Sequence, residues 1–321
     1  MNTAIGIVTY GNHKFTELGL KELQAQGVDM KDVILIIGKP GDEETRDLAN
    51  RFELIRYNSS YMSGKGSSDH KTNKGFPSSI NDIYDIVFTR DLTPWEEYGA
   101  LIIMGNDVVP YPGAIKALTT QADLSDHDVI CSCMFDCKAL CARYPEARKY
   151  FTGNNFEFTD FSARPWDLHG PQNIPAYQVV DGNRGGLHDL TLFKCSVYEK
   201  IGYLDVNFFP AYYSDKDYWR RLMLREMKVC SVTTATYFHF WSRTIHQAGE
   251  SAHTGGVHFR LNEEFYRAKW GGALGRESFQ IPWNGAEHEL APGIKLPPTL
   301  EISSRQDEDR IIEYWKQKAK H

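Results

Sequence analysis

The stretch that decides the fold is Gly99-Ala100-Leu101-Ile102-Ile103-Met104-Gly105-Asn106-Asp107-Val108-Val109-Pro110. Ala100 to Met104 is an unbroken apolar run of strand length, partly β-branched. Such a run suits a strand buried on both faces, as in a parallel sheet. The polar Gly-Asn-Asp that follows marks the strand's carboxyl end. Open α/β sheets take their ligands in the crevice beyond those ends. Asp107 has two readings there: a turn residue, or a carboxylate that holds a hard divalent cation. Pro110 and Pro112 break the chain before a helix that begins at Ala114.

Strand and helix patterns alternate on both sides of this stretch. Thr3 to Tyr10 reads as a first strand, ended by Gly11-Asn12. Phe15 to Gln26 reads as a helix with Phe15, Leu18, Leu20 and Leu23 inward, stopping at Gly27. Val33–Ile37 is a second strand, Glu43 to Arg51 a short helix, and Phe52 to Tyr57 a third strand. Met62 to Pro77, rich in Gly, Ser and Lys, reads as a mobile loop. Ser78 to Arg90 is helical, with Ile80, Ile83 and Val87 on one face. Beyond the central stretch, Val129 to Cys133 is a strand, and the periodicity then disappears from Phe135 to about Arg184. Long irregular segments within a compact domain are commonly binding loops or lids. Leu187 to Phe193 follows as a strand and Val197 to Ile201 as a short helix. A further helix begins near Ser214, with Trp219, Leu222 and Met223 inward. Asp215 and Asp217 fall near its amino end, where the helix dipole favours carboxylates. Val229 to Phe240 is a last strand and carries His239. The alternation predicts an α/β fold with a doubly wound, mostly parallel sheet flanked by helices.

Composition narrows the class. With 321 residues, 41% of them hydrophobic, the chain can bury a full core, as one large α/β domain with an appendage or as two domains. A formal net charge of −6 argues against a protein that coats nucleic acid, while leaving room for local basic patches. The apolar start, Ala4 to Val8, is short and lacks a basic leader, and no segment reaches membrane-span length, so a soluble, cytoplasmic protein is expected. Four of the six cysteines cluster as Cys131, Cys133, Cys137 and Cys141. Their spacing matches no common structural zinc motif, and reduced, buried thiols are the expected state.

Asp107 at a strand tip, Asp215 at a helix start and His239 on a late strand form an ordered set. That order resembles the family 2 glycosyltransferases of the GT-A fold, over about residues 3 to 285. Ile5-Gly6-Ile7-Val8-Thr9-Tyr10-Gly11-Asn12 is similar to the family's opening nucleotide-binding strand, and Asn73-Lys74-Gly75 to its Asn-x-Gly segment. Gly105-Asn106-Asp107-Val108 stands in the place of the metal-binding Asp-x-Asp motif. Gly202-Tyr203-Leu204-Asp205 with Ser214-Asp215-Lys216-Asp217 resembles the segment that carries the catalytic base. Tyr266-Arg267-Ala268-Lys269-Trp270-Gly271-Gly272 resembles a C-terminal Lys-Trp-Gly-Gly element of some members. The chain departs from the pattern at Gly105 and Ser214, where acidic residues are usual, and at Gly38-Lys39-Pro40-Gly41, where Asp42 is the nearest acid.

The resemblance implies a metal-dependent, inverting glycosyltransferase that uses a nucleotide-sugar donor. Residues 1–120 would bind the donor, 121–285 would form the acceptor and catalytic half, and 286–321 a tail with an amphipathic helix around Ile311, Ile312 and Trp315. Asp215 would be the general base. Asp107 and His239 would hold Mn²⁺ or Mg²⁺, the imidazole favouring Mn²⁺. Thr9, Tyr10, Asp42, Asn73, Asn106 and Arg243 would contact the nucleotide, with Arg243 bracing its diphosphate. Gly186 and Asp217 would meet the acceptor, a saccharide or another hydroxyl compound, with Asp217 the alternative to Asp215 as base. Each residue also has a plainer reading. Asp215 caps a helix, Asp217 cements local structure, and His239 is a satisfied core histidine. Arg220 and Arg221 form a solvated face or pair with the carboxylates, and Phe208, Phe209, Tyr212 and Tyr213 are core rather than sugar platform. Three rival functions stand beside this one. They are transfer to a modified nucleic-acid base, with Lys65, Lys71, Lys74, Arg143, Arg148 and Arg184 on phosphates; nucleotidyl transfer; and carbohydrate binding without catalysis.

Overall fold

The computed structural model describes residues 1–39, 41–54, 56–57, 75–88, 98–136, 141–142, 145–152, 157–158, 161, 176–183, 187–208, 211–240 and 257–285. The apolar runs of the first third form β1 (Asn2–Thr9), β2 (Val33–Ile37), β3 (Arg56–Tyr57) and β4 (Tyr98–Gly105). Later strands are β5 (Val108–Pro110), β6 (Val129–Asp136), β7 (Phe151–Thr152), β8 (Glu157–Phe158), β9 (Val179–Asp181), β10 (Leu190–Lys194) and β11 (Val229–His239). The helices are α1 (His13–Ala25), α2 (Glu43–Arg51), α3 (Phe76–Phe88), α4 (Ala114–Leu124), α5 (Cys195–Ile201), α6 (Ser214–Leu224) and α7 (Val257–Trp270).

One sheet runs in the order β3-β2-β1-β4-β10-β6-β11-β5, with β9 beside β11. β3, β2, β1 and β4 are mutually parallel, as are β6 and β11. β10 lies between these groups and runs antiparallel to both β4 and β6. The sheet is therefore mostly parallel and covered on two faces. β2 shows how the sequence achieves this. Val33, Leu35 and Ile37 join a core with Leu20 of α1, Leu48 of α2 and Leu118 of α4. Ile34 and Ile36 point the other way, into a core with Ile80 and Ile83 of α3, Val197 of α5 and Leu222 of α6. A period of two with apolar residues at every position buries both faces of the strand. Each such side chain contributes about 1.5–3 kcal/mol when taken from water.

Local chemistry sets the helix ends. The Asp42 carboxylate accepts from Thr45 N (3.2 Å) and caps α2, whose first turn carries Glu43 and Glu44 and whose last carries Arg51. Those charges complement the helix dipole. Pro77 sits in the first turn of α3, where a missing N–H costs nothing. Gly6 faces α3 so closely that an added Cβ would lie 2.6 Å from Ile83 Cγ2.

The structure departs from the sequence expectations at several places. In α6, Tyr218 and Leu222 point inward and Trp219 is half-buried, whereas Met223 is exposed, because Tyr218 and Leu222 are one turn apart on the sheet-facing side. Phe76 and Pro77, expected in a loop, open α3. Leu187–Asp189 is a turn, so β10 starts at Leu190. The stretch expected to be irregular contains β7 to β9 and a 3-10 turn at Pro145–Tyr150. β5 was hidden because Pro110 ends it after three residues; it pairs antiparallel with β11, Val108 opposite His239. Among the described residues no helix is long and apolar enough to cross a membrane. The tail from 286 and, of the loop expected from Met62 to Pro77, residues 62–74 lie outside the described residues.

Candidate active site

Pairing of β5 with β11 brings two distant residues together. Val108 sits opposite His239, and the Phe240 amide donates to the Asp107 carbonyl (3.0 Å). Asp107, in the tight turn after β4, is thereby set beside the imidazole: its Oδ1 lies 3.3 Å from His239 Nε2. Both side chains are largely buried. Neighbouring ligand positions around a six-coordinate divalent ion, at about 2.1 Å from the metal, are about 3 Å apart. An oxygen and an imidazole nitrogen at this separation fit two adjacent positions on such an ion. Among the described residues no three side chains of metal-binding type gather closely enough to hold an ion on their own. Gly105, in the place of a second motif carboxylate, packs tightly: a Cβ there would lie 3.1 Å from Val108 Cγ2.

The other imidazole nitrogen, Nδ1, is 4.0 Å from Asp189 Oδ2. That oxygen also accepts from the Tyr237 hydroxyl (3.1 Å). Desolvation pushes the Asp189 carboxyl above its usual range, His239 pulls it down, and the charges of Asp107 and Asp215 push it up. Asp189 thus lies beside the late histidine and within reach of the charges of the strand-tip and helix-start acids. Reading the sequence missed it. The available signal was the polar pair His188-Asp189 inside the otherwise apolar run Leu187 to Phe193.

Asp215 stands in the first turn of α6, its side chain 31% exposed and its Oδ2 3.0 Å from Lys216 Nζ. The chain enters this helix through Tyr212 and Tyr213, both at positive φ (73° and 63°). Bulky residues in the left-handed region cost on the order of 1–3 kcal/mol each. Packing holds them there. The Asn262 amide donates to the carbonyls of Ala211 (2.6 Å) and Tyr212 (3.3 Å), and the Phe259 ring lies 5.4 Å and 5.2 Å from the two tyrosine rings. The aromatics of this region are accordingly structural; Phe208 is fully buried against Phe265, and Phe209 lies outside the described residues.

Asp217, one turn into α6, has no exposed surface. Its oxygens accept from Arg221 Nε (3.0 Å) and Trp270 Nε1 (3.0 Å) and pair with Lys269 Nζ (2.6 Å). Lys269 also reaches Asp205 (2.8 Å). Burial works to raise the Asp205 carboxyl, but Lys269 and the Asn207 donors outweigh it and hold the group below its ordinary value. Of the roles expected for Asp217, acceptor contact, alternative base and local cement, these surroundings match the last. They also explain the Lys-Trp-Gly-Gly stretch. Lys269 and Trp270 tie α7 to α6, and a Cβ at Gly272 would lie 2.2 Å from the Arg276 carbonyl oxygen, so only glycine admits the returning chain. Arg221 is a carboxylate partner, and Arg220 donates to the Phe279 carbonyl over the Trp270 ring.

Four expected nucleotide contacts lie at the tips of β1 and β4 or close by. Thr9 is fully buried and donates to the Gly11 carbonyl (2.7 Å), and the Asn106 amide reaches Thr9 Oγ1 and Gly11 O (both 3.4 Å). Asp42 is buried and accepts from Gly11 N (3.2 Å) and Thr45 Oγ1 (2.7 Å). These three side chains stitch the β1 tip to β4 and α2. Tyr10 is half-buried beside Gly38. Asn73, Arg243 and Gly186 lie outside the described residues, as do Lys65, Lys71, Lys74, Arg143 and Arg184. Arg148 donates to the Phe151 carbonyl (3.1 Å).

His188 is a second residue that sequence reading missed. It is buried between Phe193, stacked at 5.3 Å, and Tyr218, edge-on at 5.5 Å, and neither ring nitrogen has a hydrogen-bond partner. Burial lowers its pKa to about 4, against the pull of Asp215, so it is neutral at neutral pH. The five described cysteines are free thiols; burial pushes Cys131 up to about 12, and Cys137 lies outside the described residues.

No family model matches the chain, and no curated protein matches its sequence. Among solved structures it is similar to S. aureus TarS 1-349, with 12% identity over 77% of this chain and 63% of that one and a TM-score of 0.45. It is also similar to the mannosyltransferase PcManGT from Pyrobaculum calidifontis, solved with GDP-Man and Mn²⁺, with 10% identity over 83% of this chain and 61% of that one and a TM-score of 0.44. The chain thus spans less than two thirds of the length of either.

Proposed function

We propose that the chain is a metal-dependent glycosyltransferase that moves a sugar from a nucleotide-sugar donor to an acceptor hydroxyl with inversion. The observation that carries this reading is the juxtaposition of Asp107 and His239 at 3.3 Å at the strand tips, with Asp215 close enough to Asp189 to act on its charge. Asp107 and His239 would hold a divalent cation, which would supply charge neutralisation at the diphosphate. Asp215, partly exposed at the start of α6, takes the proton of the acceptor hydroxyl. The acceptor oxygen bonds to the anomeric carbon as the bond to the diphosphate breaks, and the electron pair leaves with the nucleoside diphosphate. Attack from the side opposite the leaving group inverts the configuration. Holding donor and acceptor in line supplies much of the acceleration. Residues 1–120 serve the donor and 121–285 the acceptor, on one continuous sheet.

The test is thermal shift with nucleoside diphosphates and nucleotide sugars, each with and without Mn²⁺, followed by a transfer assay on the donor that binds. A ligand that binds only the folded state raises the melting point, by about 2.7 kcal/mol of stability at 100 times its dissociation constant. Asp215→Asn is expected to keep the shift and lose transfer by 10²-fold or more. No shift with any nucleotide, or full transfer by Asp215→Asn, overturns the reading.

A further inference from the structure

At the end of the sheet opposite the strand tips lies a cavity of about 970 Å³. That volume is at the upper end of the range for small-molecule sites, about 300–1,000 Å³. The cavity opens between the carboxyl end of α1 and one face of α4, over β1 and β4. Tyr98, on its wall, begins β4, and Gly105 ends that strand. Seven steps of about 3.3 Å put the two about 23 Å apart. The cavity and the Asp107–His239 pair are therefore separate places.

The walls are fixed before any ligand arrives. The Gln26 side chain ties α1 to the start of α4: its nitrogen donates to the Pro110 and Tyr111 carbonyls (3.2 and 2.8 Å), and its oxygen accepts from Gly113 N (3.1 Å). Ile5, Ile102 and Ile115, all buried, give the cavity an apolar lining. Carboxylates stand on both sides of it. Asp29 Oδ1 accepts from Lys31 N (3.0 Å), Asp32 Oδ1 from the Tyr98 hydroxyl, and Asp123 Oδ1 from the Met1 ammonium (2.9 Å). An ionised carboxylate has about four acceptor positions, so each keeps most of its capacity. Lys116, Thr119 and Asp123 recur at i, i+3 and i+7 and so share one face of α4, where the exposed lysine brings donors. Three carboxylates against the Lys116 and Met1 ammoniums leave the lining close to neutral but rich in acceptors and donors. Nucleotide phosphates would meet the carboxylates, and a polycation would meet the ammoniums. A neutral polyol fits both sets: its hydroxyls donate to the carboxylates and accept from the lysine, while the CH faces of its rings lie on apolar surface.

We propose that this cavity is a carbohydrate-binding site for a short neutral oligosaccharide, distinct from the transfer site. The proposal stands apart from the transferase reading, since binding here needs neither donor nor metal.

The test is ¹³C-methyl NMR of the full chain labelled at isoleucine, titrated with maltotriose, cellotriose, mannotriose and triacetylchitotriose to about 10 mM. Spermidine and uridine monophosphate are the charged controls. At least one trisaccharide should move the Ile5, Ile102 and Ile115 methyls together, with a dissociation constant of about 1 mM or lower. Asp29→Ala combined with Asp123→Ala should weaken binding about 10-fold or more, because both remove charged acceptors. Thr119→Trp, which fills the cavity from α4, should abolish the shifts, and Thr119→Ser should keep them. If Thr119→Trp fails to fold, the two exposed aspartates decide alone. No response of these methyls to any trisaccharide overturns the proposal. So does a response to spermidine or uridine monophosphate in place of the sugars, or sugar binding that is unweakened by Asp29→Ala with Asp123→Ala.

Discussion

Replacing Lys269 by methionine tests what holds α6 in place. The ammonium lies 2.6 Å from Asp217 and 2.8 Å from Asp205, and only 7% of the lysine side chain is exposed. At an effective dielectric constant of about 20, each contact is worth about 6 kcal/mol of attraction. Desolvating the ammonium and the carboxylates cancels much of that. Methionine keeps the volume of the stem and removes the charge. Asp217 keeps Arg221 and Trp270, and Asp205 keeps its Asn207 donors (2.9 and 2.7 Å), so neither is wholly abandoned. Breaking a buried pair from one side costs about 3–5 kcal/mol, and the remaining donors place Lys269→Met near the lower figure. Urea unfolding at pH 7 should show a lower midpoint with an unchanged slope. Arg267→Ala, which removes an exposed i,i+4 pair with Glu263, is the control and should cost about 0.5 kcal/mol or less. A loss below about 1 kcal/mol for Lys269→Met, or equal losses for the two variants, would refute the view that this network fixes α6 to α7.

Gly6→Ala should destabilise by about 1–3 kcal/mol, read by urea unfolding, because the new methyl meets Ile83 at 2.6 Å; Gly99→Ala, facing only the movable Met1 side chain, should cost less. Gly272→Ala meets a backbone carbonyl at 2.2 Å and should lower the melting temperature more than Gly275→Ala, where only the positive φ of 78° opposes the change. His188 has a folded pKa of about 4, below its ordinary ~6.5, so the unfolded chain binds the extra proton between those values. Its contribution, at most about 3 kcal/mol, is complete above pH 6.5 and is lost as pH falls towards 4. His188→Phe should flatten the pH dependence of the urea midpoint across that window, and an unchanged slope would contradict the burial of a neutral imidazole.

The parallel core was legible because its signals are local. β2 is five apolar residues in a row, and α1 carries Phe15, Leu18, Leu20 and Leu23 at helical spacing; all four are buried. The turn at the tip of β4 followed from the end of an apolar run in Gly-Asn-Asp. Pairings between distant strands left weaker traces. β5 is three residues long and ends in proline, so nothing in its own sequence announced that it would pair with β11 and set Asp107 against His239. Asp189 stayed hidden because its place depends on β10 running against its neighbours, a property of the sheet rather than of the residues near it. Asp217 read as a site residue because a carboxylate at a helix start looks alike whether it faces a ligand or a buried lysine. Only the packing of Lys269 and Trp270 distinguishes the two.

The reversed course of β10 makes the rim unusually sensitive to alignment. His188 packs against Phe193 and Tyr218 while Asp189 reaches Tyr237 and His239, so the two face opposite sides of the sheet. Sliding that segment by a single position would exchange them, turning an acid away from His239 and an unsatisfied ring towards it. Insertions or deletions in the turn Leu187–Asp189 therefore disturb the Asp189–His239 contact before they threaten the core, and exchanges of that turn with other sequences must preserve its phase as well as its length.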